Sequence, residues 1–132
     1  STKKLPMNPL APVTNIFFRQ RFLTAPLMKW MFGKYVSDPA QRGNDLMSPV
    51  RASAERLRGL PATLIVVAEN DILRDEGEAM GRRLDEAGVE VTTVRFNGVV
   101  HDWGMLNGFA ALHPTRTLIR LVGSVLRDYL EK

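Results

Sequence analysis

The sequence predicts an α/β fold in which parallel strands are joined by a crossover helix. A continuous apolar run over residues 62–68 has the length and composition of a strand that is covered on both faces, as in a parallel sheet. Residues 75–87 then repeat apolar side chains at helical spacing, and residues 89–96 alternate between two sets of side chains. A strand, a helix and a second strand in this order indicate a right-handed βαβ unit. The length of 132 residues suits one domain.

The part of the chain before this unit carries weaker signals. Residues 1–15 contain three prolines and little periodicity, which predicts an extended N-terminal arm. Thr24 is a suitable N-cap for a helix over residues 27–35, which is apolar on most sides and is expected to be largely buried or covered by something else. The alternative is that this apolar stripe forms the wall of a substrate pocket. Residues 37–49 predict a loop, and residues 52–60 predict a short helical turn.

The crossover helix and the end of the chain contain their own signals. Asp75 followed three residues later by Glu78 fits a capping box, and Gly88 stands where a left-handed C-terminal cap is expected. Arg74 and Glu78 have the spacing of a surface ion pair. Residues 114–130 predict a final helix. Only two strands are predicted, so the sheet needs partner strands from elsewhere or a second copy of the chain.

The composition argues against several function classes. Eighteen basic and 14 acidic residues give a net charge of +4, but the arginines are spread along the chain and form no stripe that would bind nucleic acid. There is no cysteine, the two histidines lack ligand spacing, and no phosphate-binding glycine motif occurs, so we expect neither a metal nor a cofactor. No apolar run approaches the roughly 20 residues of a membrane span. We therefore expect a soluble, cytoplasmic protein.

Two polar side chains follow the two predicted strands, at the positions where α/β sheets collect ligands and catalytic groups. Asp71 lies just after the first strand, and His101 lies just after the second, 30 residues later. Parallel neighbouring strands end at the same edge of a sheet, so the two side chains are expected to meet. The carboxylate would accept the imidazole N–H and fix its tautomer, as the acid and base of a nucleophilic triad do.

Both residues also have structural explanations. Asp71 fits a turn carboxylate that binds nearby backbone N–H groups, and His101 fits a half-buried histidine whose partner is a backbone carbonyl. Asp102 is the second candidate for the acid, although we expect it to point away from the imidazole ring. Glu69 and Asn70 are weaker candidates.

A series of short motifs occurs in order along the chain: Ser48-Pro49, Gly59-Leu60-Pro61, Asp71-Ile72-Leu73-Arg74-Asp75-Glu76, Ala87-Gly88-Val89 and Gly98-Val99-Val100-His101-Asp102. This series resembles the C-terminal part of the hormone-sensitive-lipase-like esterases, which have the α/β-hydrolase fold. The resemblance covers residues 12–132. It implies that residues 16–132 form one C-terminal segment of that fold, without the N-terminal half.

The resemblance implies that Asp71 is the triad acid and that His101 is the general base. The family hydrolyses carboxylic esters through a serine acyl-enzyme and uses no cofactor. Its Gly-x-Ser-x-Gly elbow and its His-Gly-Gly-Gly loop do not occur in the 132 residues, and none of the five serines lies in such an elbow. We therefore expect the segment to be inactive until it joins the missing half, which would complete the binding site for the ester substrate.

Two other interpretations stay open. The chain would instead be a non-catalytic interaction module, derived from the hydrolase fold, that forms homodimers through its strand edges and its last helix. A small flavodoxin-like binding domain with Asp71 at the switch point is the third possibility. That fold needs further parallel strands, and the first 60 residues do not supply them.

Overall fold

The computed structural model describes residues 23–131, so the predicted arm over residues 1–15 lies outside the described residues. Short 3₁₀ turns cover Pro39–Gly43, Pro49–Arg51 and Asn107–Phe109. The order of helices and strands agrees with the predicted α/β fold. These elements are α1 (Ala25–Tyr35), α2 (Ala54–Leu57), β1 (Thr63–Asn70), α3 (Arg74–Glu86), β2 (Val91–Val100) and α4 (His113–Leu130).

The two strands pair in parallel, as the βαβ pattern predicts. Thr63 lies opposite Val91 and the pairing continues without a break to Ala68 opposite Phe96. β2 does not end near Phe96, as the alternation predicts, but continues to Val100 through an irregular stretch. Within residues 23–131 the sheet has these two strands and no more.

The irregular stretch of β2 is a bulge around Gly98. This glycine has a φ of 73°, a left-handed conformation that side chains other than glycine rarely adopt. The Gly98 N–H donates to Oε2 of Glu69 on β1 at 2.6 Å. The Glu69 carboxylate therefore accepts the hydrogen bond of a backbone N–H that the bulge removes from the regular pairing of the two strands. This hydrogen bond stabilises the bulge within the sheet.

Helix α3 covers one face of the sheet. Leu84 and Ala87 pack with Val89 and with the short helix α2 through Leu57, in a core that half-buried Ile65 joins. The capping-box prediction is wrong: α3 begins after Leu73, which has no side chain able to cap it. The Asp75 carboxylate instead contacts the Arg74 guanidinium at 2.8 Å, and Glu78 pairs with Arg95 at 3.3 Å rather than with Arg74.

The other face of the sheet carries a second core. Ala68 and Val99 are buried there with Trp103, whose ring centroid lies 5.4 Å from that of Phe96. Helix α4 contributes Leu118 to this core. β1 is therefore covered on both faces, as its apolar run predicts, but full burial is reached only at Val67 and Ala68 near its end.

The end of α4 returns to the start of β2. The pKa of Tyr129 is raised, mainly because burial removes water from the phenol and secondly because of the hydrogen bond and the negative charge of Glu90.

Within residues 23–131, every helix is too short or too polar to span a membrane.

Helix α1 forms as predicted but is not buried. The Leu27 N–H donates to Oγ1 of the N-cap Thr24 at 3.4 Å, and Pro26 lies in the first turn. The predicted burial is not found, because Trp30 is 62% exposed and Tyr35 is 76% exposed, so cover of this helix by something else stays a prediction. The Met28 and Phe32 side of α1 is half-buried, and its other apolar side is open.

Gly77 on α3 allows this helix to lie close to β1. A Cβ at this position would stand 2.7 Å from Cγ1 of Val67, whose β-branched side chain is buried and stiff. We expect Gly77→Ala to lower the free energy of unfolding by about 1–2 kcal/mol, because the overpacking outweighs the helical preference of alanine. Urea denaturation followed by circular dichroism measures the change.

Gly123→Ala is the matched control, since a Cβ there meets nothing within 4 Å. This change should raise the free energy of unfolding by about 0.5–1 kcal/mol. Equal effects of the two substitutions would contradict the close approach of α3 to the sheet.

Candidate active site

The bulge in β2 determines which residues meet at the edge of the sheet. From Thr63 to Ala68 each residue of β1 pairs with the residue 28 positions later, whereas Asn70 pairs with Val100, 30 positions later. Extension of the first register would place Val99 beside Asp71. The two additional residues in β2 place His101 there instead.

Asp71 and His101 lie in direct contact at the carboxyl ends of the strands. Oδ2 of Asp71 is 2.7 Å from Nδ1 of His101, and the two side chains are 11% and 26% exposed. An ionised carboxylate only accepts hydrogen bonds, so the Nδ1–H of the ring is the donor. The neutral ring then carries its lone pair on Nε2, the tautomer that a general base needs.

The second oxygen of Asp71 has a structural partner. Oδ1 accepts the Leu73 N–H at 2.9 Å, in the turn between β1 and α3. The turn-carboxylate explanation and the pairing with histidine are therefore both correct, because each uses a different oxygen. The backbone bond fixes the carboxylate so that its other oxygen faces the imidazole. The partner of His101 is this carboxylate and not a backbone carbonyl.

The prediction that Asp102 points away from the imidazole ring is wrong. Its Oδ1 is 3.4 Å from Nε2 of His101, on the opposite side of the ring from Asp71. The residue has a φ of 59°, in the left-handed region that aspartate tolerates better than most residues. Asp102 is also 43% exposed, against 11% for Asp71, and its 3.4 Å contact with the ring is longer than the 2.7 Å contact of Asp71. Asp71 is therefore the better candidate for the acid.

The remaining polar residues of this edge shape the backbone. Glu69 holds the Gly98 bulge, and its carbonyl accepts a hydrogen bond from Nη1 of Arg74 at 2.8 Å. The hydrogen bond and charge of Asp75 raise the pKa of Arg74, which stays charged. The sequence patterns did not reveal these roles of Glu69 and Arg74, since both depend on the bulge and on the turn after β1. Within residues 23–131, no cluster of three or more His, Asp or Glu side chains could hold a metal ion.

Comparison with known proteins identifies the family. The model of the alpha/beta hydrolase fold matches residues 6–105, a range that includes both Asp71 and His101. The chain belongs to the α/β-hydrolase fold family. This assignment confirms the fold that the sequence motifs predict.

The relatives of this α/β-hydrolase chain include esterases. A putative alpha/beta hydrolase of Acanthamoeba polyphaga mimivirus is 36% identical over 101 residues, which cover 76% of this chain and 29% of that protein. An arylesterase of Saccharolobus solfataricus is 37% identical over 94 residues, covering 71% and 28%. The crystal structure of a thermostable esterase from Pseudomonas putida superposes with a TM-score of 0.77 at 44% identity, covering 83% and 35%.

The hydrolase relatives are much longer than this chain. The 132 residues span only 28% to 35% of the length of these three proteins. The recognition of an esterase-type α/β-hydrolase is thus confirmed for the family, and the chain corresponds to a part of such an enzyme.

Proposed function

We propose that this chain supplies the acid and the base of a carboxylic ester hydrolase. The observation that carries the proposal is the 2.7 Å contact between Asp71 Oδ2 and His101 Nδ1 at the ends of two adjacent parallel strands. Membership of the α/β-hydrolase fold and similarity to an arylesterase support carboxylic esters as the substrates. The nucleophile would be a serine on a part of the protein outside these residues.

The contact geometry suits both proton transfers of ester hydrolysis. Nε2 of His101 takes the proton of the serine hydroxyl as the serine oxygen attacks the ester carbonyl carbon. The imidazolium then gives this proton to the leaving alcohol, and the acyl group stays on the serine. In the second half, water attacks the acyl carbon while His101 takes one of its protons. The imidazolium returns this proton to the serine oxygen as the bond to the acyl carbon breaks, so the carboxylic acid leaves and the serine hydroxyl is restored. Asp71 stabilises the imidazolium at each stage through Nδ1.

The 132-residue chain alone is expected to lack esterase activity, because the acid and base accelerate nothing without a nucleophile and oxyanion donors. The decisive construction is a chimera in which the matched part of this chain replaces the corresponding 35% of the Pseudomonas putida esterase. We expect the chimera to hydrolyse p-nitrophenyl acetate. The 132-residue chain alone should show no more turnover than its own His101→Ala variant, which measures the background.

Two outcomes would contradict the proposal. The first is a chimera that folds, as judged by circular dichroism and gel filtration, but has no turnover. The second is turnover by the chain alone, which would overturn its predicted inactivity. Loss of turnover after replacement of the serine in the Pseudomonas part of the chimera serves as the control for the nucleophile.

A non-catalytic homodimer is the second candidate function. Trp30, Met31 and Tyr35 on α1 are between 47% and 76% exposed, and Ile119 and Leu126 on α4 are also exposed, so apolar surface is available for a partner. Light scattering after gel filtration distinguishes the candidates. A stable monomer counts against the dimer, and a dimer that persists in the inactive chain favours it.

A further inference from the structure

A large groove lies beside the turn that carries Asp71. It has a volume of about 1020 Å³ and runs between α1, the segment that contains the turn Pro49–Arg51, and the first half of α3. Its floor is apolar and half-buried. The floor side chains are Met28, Phe32, Met47, Leu73 and Met80. Three of these are methionines, whose flexible thioethers adapt to apolar ligands of different shape.

The rim of the groove is cationic. Lys29, Arg42 and Arg51 line it and are exposed, and Glu76 is the one acidic residue in the lining. Within residues 23–131 no carboxylate oxygen lies within 4 Å of the charged nitrogens of these three side chains, although Arg56, Arg74 and Arg95 all have such partners. An apolar floor below unpaired cations complements a ligand with an apolar chain and an anionic group.

The groove and the Asp71–His101 pair share the turn between β1 and α3, although neither Asp71 nor His101 lines the groove. Ile72 and Leu73 follow Asp71 directly and line the groove, and the Leu73 N–H is the donor that fixes the Asp71 carboxylate. A ligand in the groove therefore lies against the turn that positions the Asp71 carboxylate.

We propose that this groove binds an alkyl chain that carries a carboxylate. The apolar side chains bury the alkyl part, and Lys29, Arg42 and Arg51 hold the carboxylate. In terms of substrate class, which rests on the function proposed above, the hydrolase prefers esters that bear a second, anionic group at the far end of an apolar chain.

Binding of octanoate to the 132-residue chain tests the groove without any catalysis. Isothermal titration calorimetry should show octanoate binding at least about tenfold more tightly than octan-1-ol, with the difference shrinking between about 0.02 M and about 0.5 M salt. The double variant Arg42→Gln/Arg51→Gln should bind octanoate no better than octan-1-ol. The matched control Arg58→Gln/Arg82→Gln removes two exposed cations outside this groove and should leave octanoate binding unchanged.

Three results would overturn the proposal. One is equal binding of octanoate and octan-1-ol by the unmodified chain. Another is octanoate-induced NMR shifts that map to α4 and not to the groove methyl groups. The third is a set of nuclear Overhauser contacts that place residues 1–22 or a second copy of the chain in the groove, since that occupant would exclude the ligand.

The chimera separates this inference from the proposed function. If it hydrolyses p-nitrophenyl butanoate but shows no preference for the mono-p-nitrophenyl ester of adipic acid, the anionic substrate class is wrong and the ester hydrolase stands. If it folds and hydrolyses neither ester, the proposed function fails, and the octanoate titration alone decides whether the groove binds alkyl carboxylates.

Discussion

Replacement of His101 by alanine should lower kcat/KM of the chimera for p-nitrophenyl acetate by about 10⁴-fold. In the proposed reaction Nε2 of His101 takes a proton and returns it. Asp71 cannot replace the imidazole because its carboxylate faces Nδ1. The side chain is only 26% exposed and is held by a single short contact, so its loss changes the reaction much more than the fold.

His113→Ala is the control for this prediction. His113 is the second histidine of the chain, an exposed residue at the start of α4, and has no place in the proposed chemistry. Its substitution should leave kcat/KM within about twofold of the unmodified chimera, as for most surface changes. Equal losses in the two variants, or an unchanged rate in His101→Ala, would remove His101 from the mechanism.

Asp71→Asn should lower kcat by about 10⁴-fold while the chimera stays folded. Oδ1 of the new amide can still accept the Leu73 N–H, which keeps the turn between β1 and α3 in place. The amide nitrogen then faces Nδ1 of His101. An amide N–H₂ only donates, so the ring must accept at Nδ1 and carry its proton on Nε2, where it can no longer take the proton of serine.

The comparison that isolates this tautomer effect is Asp85→Asn. Asp85 is an exposed residue of α3 and undergoes the same chemical change far from the ring. We expect full activity in Asp85→Asn, and we expect nitrogen NMR of Asp71→Asn to find the ring proton on Nε2. An active Asp71→Asn chimera would show that Asp102, 3.4 Å from Nε2, or another group determines the state of the imidazole.

The parts of the fold that follow from local pattern could be predicted. The apolar run of β1 and the helical spacing of α3 match the side chains that pack in the two cores, so sequence period predicts these elements. The spacing of α4 predicts its helix, although only Thr115 is fully buried there. The continuation of β2 past Phe96 could not be predicted in this way. Gly98 is typical of a turn, and it stays within the strand only because Glu69, 29 residues earlier, binds its N–H.

The candidate site was predictable to a similar extent. The rule that parallel strands end at one edge brings Asp71 and His101 together, and the structure places them in contact. The sequence could not reveal the orientation of Asp102, because this depends on a left-handed backbone conformation that aspartate adopts only sometimes. Nor could it show that α1 keeps its apolar side exposed, since helical period does not say which neighbour is present.

The pairing of β1 with β2, including the bulge at Gly98, makes the contact between Asp71 and His101 independent of the number of residues that separate them in the sequence. The encounter between the carboxylate and the imidazole is set by pairing at the ends of β1 and β2, and the intervening helix only returns the chain to the sheet. Insertions or deletions in the turn between α3 and β2 would change the count of residues between the two groups and leave their encounter intact. A search for distant members of this lineage should therefore score local signatures at each strand end and allow the interval between them to vary.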